Sequence, residues 1–72
     1  MNNLKKQFGV RLRLLRIQRQ MTQEQLAAAA SMSVDFLSLI ERGKNSPSFP
    51  SLEKLAQALK VPARELFNFD EQ

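Results

Sequence analysis

The chain has 72 residues, a formal net charge of +4, and neither cysteine nor histidine. Its length allows one small domain with a modest core, and the missing residue types exclude disulfides, zinc-finger ligand sets, thiol nucleophiles and the usual general base. No apolar run approaches the roughly 20 residues of a membrane helix, and no signal peptide is visible. We therefore expect one cytoplasmic, non-enzymatic domain over residues 1–72, without metal or cofactor.

The charge is concentrated in the first part of the chain. Residues 1–44 contain eight basic and three acidic side chains, a net charge of +5, whereas residues 45–72 have a net charge of −1. A polyanion would therefore be attracted to the first part. An ordinary solvated helix face with a basic bias is the simpler interpretation of the same counts.

Hydrophobic periodicity predicts five helices and no strand. The first helix has an amphipathic stripe of Leu4, Phe8, Leu12 and Leu15, with Arg11 largely off it. Gly9 interrupts this helix at a cost of roughly 1 kcal/mol relative to alanine. The predicted helices span about residues 3–20, 23–30, 34–42, 52–59 and 63–67.

Capping residues predict where these helices begin and end. Thr22 with Gln25 has the spacing of a capping box at the second helix, and Ser33 is suited to cap the third. Gly43 is typical of a helix end, and the loop of residues 44–50 contains two prolines. We expect Ser51 to cap the fourth helix and Pro62 to open the fifth. Residues 21–44 therefore form two short helices joined by a tight turn, the layout of a helix-turn-helix.

Four blocks of sequence carry a resemblance to a known family. They are GVRLRLLR at residues 9–16, MTQEQLA at 21–27, LSLIERGK at 37–44 and SLEKLAQAL at 51–59. In this order they resemble the Xre/Cro-type helix-turn-helix family, the lambda-repressor-like DNA-binding domains. The resemblance covers about residues 6–67. It implies an all-α, compact five-helix domain, and the controller proteins of restriction–modification systems are a similar subgroup. Small phage or mobile-element repressors fit almost as well.

The third helix of this family reads DNA bases, and four residues match its outward positions. Valine and leucine side chains meet thymine methyl groups, aspartate accepts from a cytosine amino group, and serine bonds to several base edges. This face has no Arg, Asn or Gln, so we expect DNA shape to contribute to specificity. A protein-binding patch is the alternative role of its apolar members. The four implied base-reading residues are Val34, Asp35, Ser38 and Leu39.

The resemblance also implies contacts to the DNA backbone and one structural ion pair. Arg16 and Glu41 match a family pair that joins the first helix to the end of the third, as a guanidinium fork holding a carboxylate. The DNA-backbone residues also have simpler roles. Gln23 could be a solvated residue at a helix start, Phe36 could close the core, and Asn45 could belong to an ordinary polar loop. The candidate DNA-backbone residues are Phe36, from its place at the edge of the third-helix face, and Gln23, Arg42, Lys44 and Asn45.

The C-terminal part contains several large apolar residues, of which one or two are expected to close the core. The others are suited to a two-fold dimer interface, although a simple core cap explains them as well. Ser31 and Lys60 stand where the family usually has glycine at helix ends. The candidate dimer residues are Val61, Leu66, Phe67 and Phe69.

The sequence therefore predicts a transcriptional regulator that binds a roughly palindromic operator on double-stranded DNA as a homodimer. Repression follows if the operator overlaps a promoter, and activation follows if the protein contacts RNA polymerase beside it. An antitoxin or another protein-interaction module is the alternative, using the apolar third-helix face or the C-terminal phenylalanines.

Overall fold

The computed structural model describes residues 3–71, and of Glu71 the backbone alone. The predicted domain bounds of 1–72 include residues 1, 2 and 72, which lie outside the described residues. Over residues 3–71 the fold is all-α, as predicted, but it has four α-helices and not five. These are α1 (Leu4–Gln18), α2 (Gln23–Ala29), α3 (Val34–Glu41) and α4 (Phe49–Leu59).

The predicted fifth helix is a 3₁₀ segment, Ala63–Phe67, followed by a second 3₁₀ turn, Phe69–Glu71. Its first hydrogen bond joins the Glu65 N–H to the Pro62 carbonyl over 2.9 Å, the i to i+3 pattern of a 3₁₀ turn. A segment of five residues closes few i to i+4 bonds, so packing decides its geometry more than helix propensity does. The prediction of an α-helix here is wrong in type and right in position.

The start of α4 corrects a second prediction. The helix begins at Phe49, and Ser48 is its N-cap, since the Ser48 hydroxyl accepts from the Ser51 N–H at 3.2 Å. The predicted cap Ser51 lies inside the first turn. Pro50 is tolerated there because the first backbone N–H groups of a helix have no intrahelical partner to lose.

Each of the four α-helices in residues 3–71 is followed within two positions by a residue in the left-handed region. These residues are Gln20, Ser31, Gly43 and Lys60, with φ of 59°, 57°, 75° and 59°. After each one, the next N–H bonds to the carbonyl five residues back, as Met32 does to Ala27 at 2.9 Å. This pairing satisfies carbonyls that a helix end leaves open. Ser31 and Lys60 therefore adopt a conformation that glycine reaches without strain, at a cost of roughly 1–2 kcal/mol each.

The core lies between the four α-helices and the first 3₁₀ segment. The approach of α1 to α3 depends on Gly9, where a Cβ atom would lie 2.5 Å from the Ile40 carbonyl oxygen. Gly9 therefore has a packing reason that offsets its poor helix propensity. The fully buried apolar residues are Leu12, Leu26, Leu37, Ile40, Leu55, Leu59 and Leu66.

Candidate nucleic-acid interface

The helix-turn-helix is formed by α2 and α3, as the sequence predicts. The Thr22 hydroxyl accepts from the Gln25 N–H at 3.0 Å, and the Gln25 side chain accepts from the Thr22 N–H at 2.8 Å, which completes the capping box. The Ser33 hydroxyl accepts from the Phe36 N–H at 3.0 Å at the start of α3. Leu26 of α2 and Leu37 of α3 are both buried, so the two helices share one core.

The outer surface of α3 contains the four predicted base-reading residues. Asp35 is exposed, whereas Val34, Ser38 and Leu39 are half-buried. Val34 and Phe36 also pack against the core, so part of each side chain is used within the protein. The exposed part of α3 is therefore a mixed face with one carboxylate, one hydroxyl and aliphatic groups.

The predicted ion pair between Arg16 and Glu41 is present. Arg16 Nε donates to Glu41 Oε2 at 2.7 Å, and the NH2 nitrogen donates to Oε1 at 3.2 Å. The third guanidinium nitrogen donates to the Met21 carbonyl at 2.8 Å, one residue before the N-cap of α2. Arg16 therefore joins α1, the entrance of α2 and the end of α3 through one planar group.

Gln23 is the first residue of α2, and its side chain has a partner that the sequence did not reveal. Its Nε2 donates to Glu41 Oε1 at 3.0 Å. Glu41 is 8 % exposed and therefore accepts from both Arg16 and Gln23 in a largely dehydrated position. Gln23 itself is half-buried and remains at the surface of the helix-turn-helix.

Three further predicted DNA-backbone residues follow α3 directly. Arg42, Lys44 and Asn45 are all exposed. The Arg42 guanidinium Nε lies 3.4 Å from the Ser38 carbonyl, so this side chain folds back along α3. The backbone N–H of Lys44 donates to the Leu39 carbonyl at 2.9 Å, which fixes the loop where it leaves the helix.

Arg11 corrects the simple interpretation of the charge distribution. It is 1 % exposed, and its guanidinium donates to the Glu65 carbonyl at 2.8 Å and to the Glu65 carboxylate at 2.9 Å. Arg19 also donates to the Leu59 carbonyl at 2.7 Å. Arg19 stays exposed, whereas the burial of Arg11 leaves the protein surface with one positive side chain fewer than the sequence count suggests. Arg11 follows Phe8 by three residues and precedes Leu15 by four, so it lies on the buried face of α1, and the prediction that it falls largely off the apolar stripe is wrong.

The four candidate dimer residues differ in their surroundings. Leu66 is 0 % exposed within the single chain, so it closes the core and offers no surface to a partner. Val61 is half-buried against the core. Phe67 is 43 % exposed, and its ring centroid lies 5.2 Å from that of Phe8 and 6.3 Å from that of Phe69.

An apolar pocket of about 140 Å³ lies beside Phe67. Its lining residues are Leu4, Lys5, Phe8, Asn45, Ser46, Pro47, Leu52 and Phe67.

Within residues 3–71, no group of three or more acidic side chains is placed to hold a metal ion. No helix in the described part of the chain is long and apolar enough to cross a membrane.

The α2–turn–α3 unit packs on the core and leaves one face of α3 pointing outward, which defines a helix-turn-helix protein. The chain belongs to the helix-turn-helix domain family, whose profile matches residues 7–67. It is 35 % identical over 69 residues to the control protein C.BamHI of Bacillus amyloliquefaciens, covering 94 % of this chain and 85 % of that protein. It is 36 % identical over 69 residues to the control protein C.MunI of a Mycoplasma species, covering 94 % and 93 % of the two chains.

The same relationship is seen in three dimensions. The restriction–modification controller protein C.AhdI from Aeromonas hydrophila superposes with a TM-score of 0.86 at 38 % identity, covering 88 % of this chain and 96 % of that one. The predicted class, a helix-turn-helix transcriptional regulator of the controller and repressor type, is therefore confirmed.

Proposed function

We propose that this chain binds a roughly palindromic operator on double-stranded DNA as a homodimer and thereby controls transcription. The observation that carries the proposal is the outward face of α3, which the core and the Arg16–Glu41 pair hold in a fixed orientation. A helix held in this way enters the major groove with its N-terminal residues against base edges. The likeness to the restriction–modification controller protein C.AhdI supports a role in regulating a restriction–modification system.

Residues of the helix-turn-helix and of the loop after it divide into base-reading and backbone roles in this proposal. Asp35 accepts from a cytosine amino group, Ser38 bonds to a base edge, and Leu39 contacts a thymine methyl group, as does the exposed part of Val34. Side chains at both ends of the motif contact phosphates and fix the register of the protein on the duplex. These are Gln23, Phe36, Arg42, Lys44 and Asn45.

The dimer would form through the exposed part of the C-terminal aromatic group. The Phe67 ring packs against the Phe8 ring in a tilted arrangement and meets the Phe69 ring edge to face, and Val61 lies nearby in sequence at the core edge. Two recognition helices of a dimer would lie about 34 Å apart, one turn of DNA. Contact with RNA polymerase would make the protein an activator, whereas an operator that covers the promoter would make it a repressor.

The test is selection from a random DNA library at near-physiological salt, followed by the stoichiometry of binding to the enriched duplex. The expected result is a two-fold symmetric motif bound by two chains. A non-symmetric motif bound by one chain would refute the dimer. Absence of any enriched motif, with weak and steeply salt-dependent binding, would refute sequence-specific regulation and favour an antitoxin or another protein-binding role.

A further inference from the structure

The Glu41 carboxylate connects the ion pair to the surface of the helix-turn-helix. It accepts from the Arg16 guanidinium on both oxygens, at 2.7 and 3.2 Å, and from Gln23 Nε2 at 3.0 Å on Oε1. Arg16 also donates to the Met21 carbonyl at the entrance of α2. The chain of contacts therefore runs from α1 through the end of α3 to the first residue of α2.

This arrangement selects one orientation of the Gln23 amide. An ionised carboxylate only accepts hydrogen bonds, so it takes the NH₂ end of the amide and not the carbonyl end. An amide nitrogen carries two hydrogens, and one of them is used by Glu41. Because Gln23 is half-buried at the protein surface, the second N–H is available to an acceptor outside the chain.

We propose that Glu41, held by Arg16, is a positioning residue that presents the Gln23 amide N–H to a phosphate of the DNA backbone. This inference rests on the proposed function and deepens it. Gln23 makes the contact, and Glu41 acts through Gln23 without touching DNA.

Two physical effects make such positioning useful. A glutamine side chain has several rotatable bonds, so ordering it costs conformational entropy. If the side chain is ordered before binding, the association step does not include this cost. A bare carboxylate near a phosphate would repel it, but the Arg16 guanidinium balances the charge of Glu41 at contact distance. The pair therefore holds the amide without adding a net negative charge beside the DNA.

A double-mutant cycle separates this role from a purely structural one. The variants are Gln23→Ala, Glu41→Ala and the double variant, with Gln57→Ala on the exposed surface of α4 as the matched control. We expect Gln23→Ala and Glu41→Ala each to weaken operator binding about 3- to 10-fold, the effect of losing one preordered side-chain contact. The double variant should bind within about 2-fold of Gln23→Ala, because both changes remove the same contact. If the affinity losses of Gln23→Ala and Glu41→Ala multiply in the double variant, the proposal is overturned.

The second variant at this position is Glu41→Asp, which keeps the charge for Arg16 but shortens the reach to Gln23. If Glu41→Ala loses the helical circular dichroism of the wild type, Glu41→Asp takes its place in the cycle.

Each variant is also tested on duplexes with a single neutral methylphosphonate, moved along one half-site. Wild-type protein should lose affinity at the phosphate that Gln23 contacts. Variants at Gln23 or Glu41 should be insensitive at that phosphate alone and keep their sensitivity at the others. An unchanged methylphosphonate pattern in the Glu41 variants would show a structural role only.

The outcomes for this inference and for the proposed function are distinct. If wild-type protein binds no duplex better than random sequence, the proposed function fails, and this inference fails with it. If wild-type protein binds its operator but the cycle is additive, the positioning role alone is refuted.

Discussion

Arg11 and Glu65 are 54 positions apart in the chain, yet the Arg11 Nε lies 2.8 Å from the Glu65 carbonyl oxygen. A second guanidinium nitrogen lies 2.9 Å from the Glu65 carboxylate, whose side chain is about one-third exposed. This contact attaches the first 3₁₀ segment, which contains Leu66 and Phe67, to the middle of α1. The orientation of the C-terminal aromatic residues therefore depends on a buried arginine.

Arg11→Met should destabilise the protein by about 2 kcal/mol, since the Glu65 carbonyl loses a charged donor that methionine cannot replace. Glu65→Gln should cost less, about 1 kcal/mol, because the carbonyl contact remains and the amide oxygen still accepts. Urea unfolding would measure both free energies. Equal costs for the two variants would mean that the carboxylate, and not the carbonyl, dominates the contact.

Gly9→Ala should destabilise the fold by about 2 kcal/mol although alanine is the better helix former. The new Cβ would lie 2.5 Å from the Ile40 carbonyl oxygen and 2.6 Å from that of Glu41, and both are backbone atoms that move only with α3. Thermal unfolding would measure the loss. Val10→Ala, at the exposed neighbouring position, is the control and should stay within about 0.5 kcal/mol of wild type. A stabilised Gly9→Ala variant would contradict the close approach of α1 and α3.

Ser31→Gly should stabilise the protein by about 0.5 kcal/mol. Ser31 has a φ of 57°, which costs a residue with a Cβ roughly 1–2 kcal/mol, and glycine removes this strain. Glycine also loses more backbone entropy on folding, which offsets about 0.5–1 kcal/mol of the gain. The matched control is Ala29→Gly at the last residue of α2, which should lose about 0.5 kcal/mol, because the full cost of glycine applies to a helix interior. Chemical denaturation of both variants decides the sign, and a loss at both positions would show that Ser31 is not strained.

Lys44→Ala should weaken DNA binding to a similar degree for operator and random sequence. The slope of log K against log salt concentration should fall in magnitude by about 1, since one phosphate contact and its released counterion are lost. Lys54→Ala removes the same charge from the exposed surface of α4 and should leave the slope unchanged. Fluorescence anisotropy titrations over a range of salt concentrations would measure it. Equal slopes for wild type and Lys44→Ala would remove Lys44 from the DNA-backbone contacts.

Asp35→Ala and Leu39→Ala should each alter base preference at one position of each half-site. The loss of a good contact between a side chain and a base edge reduces discrimination by about 1–3 kcal/mol. Selection from a random library would show the change in the enriched motif. Glu53→Ala, which removes an exposed carboxylate from α4, should retain the wild-type motif. An unchanged motif with uniformly weaker binding would refute base reading by either residue.

Local signals predicted much of the fold because they depend on neighbouring residues. Thr22 with Gln25 marked the capping box, and Ser33 marked the start of α3, since each cap bonds within three residues. The same reasoning misplaced the start of α4, because Pro50 was treated as a helix breaker and the first turn of a helix tolerates proline. It also assigned an α-helix to residues 63–67, where five residues form a 3₁₀ segment.

The sequence by itself determined the helical class, the helix-turn-helix and, through its resemblance to a family, the Arg16–Glu41 pair. These features follow from periodicity, caps and short motifs, which can be recognised without knowing the packing. Only the tertiary structure decided that Arg11 is buried on Glu65, that Gly9 touches the backbone of α3, and that Glu41 holds Gln23. Each of these contacts joins residues from different helices, and their distances depend on how the helices pack.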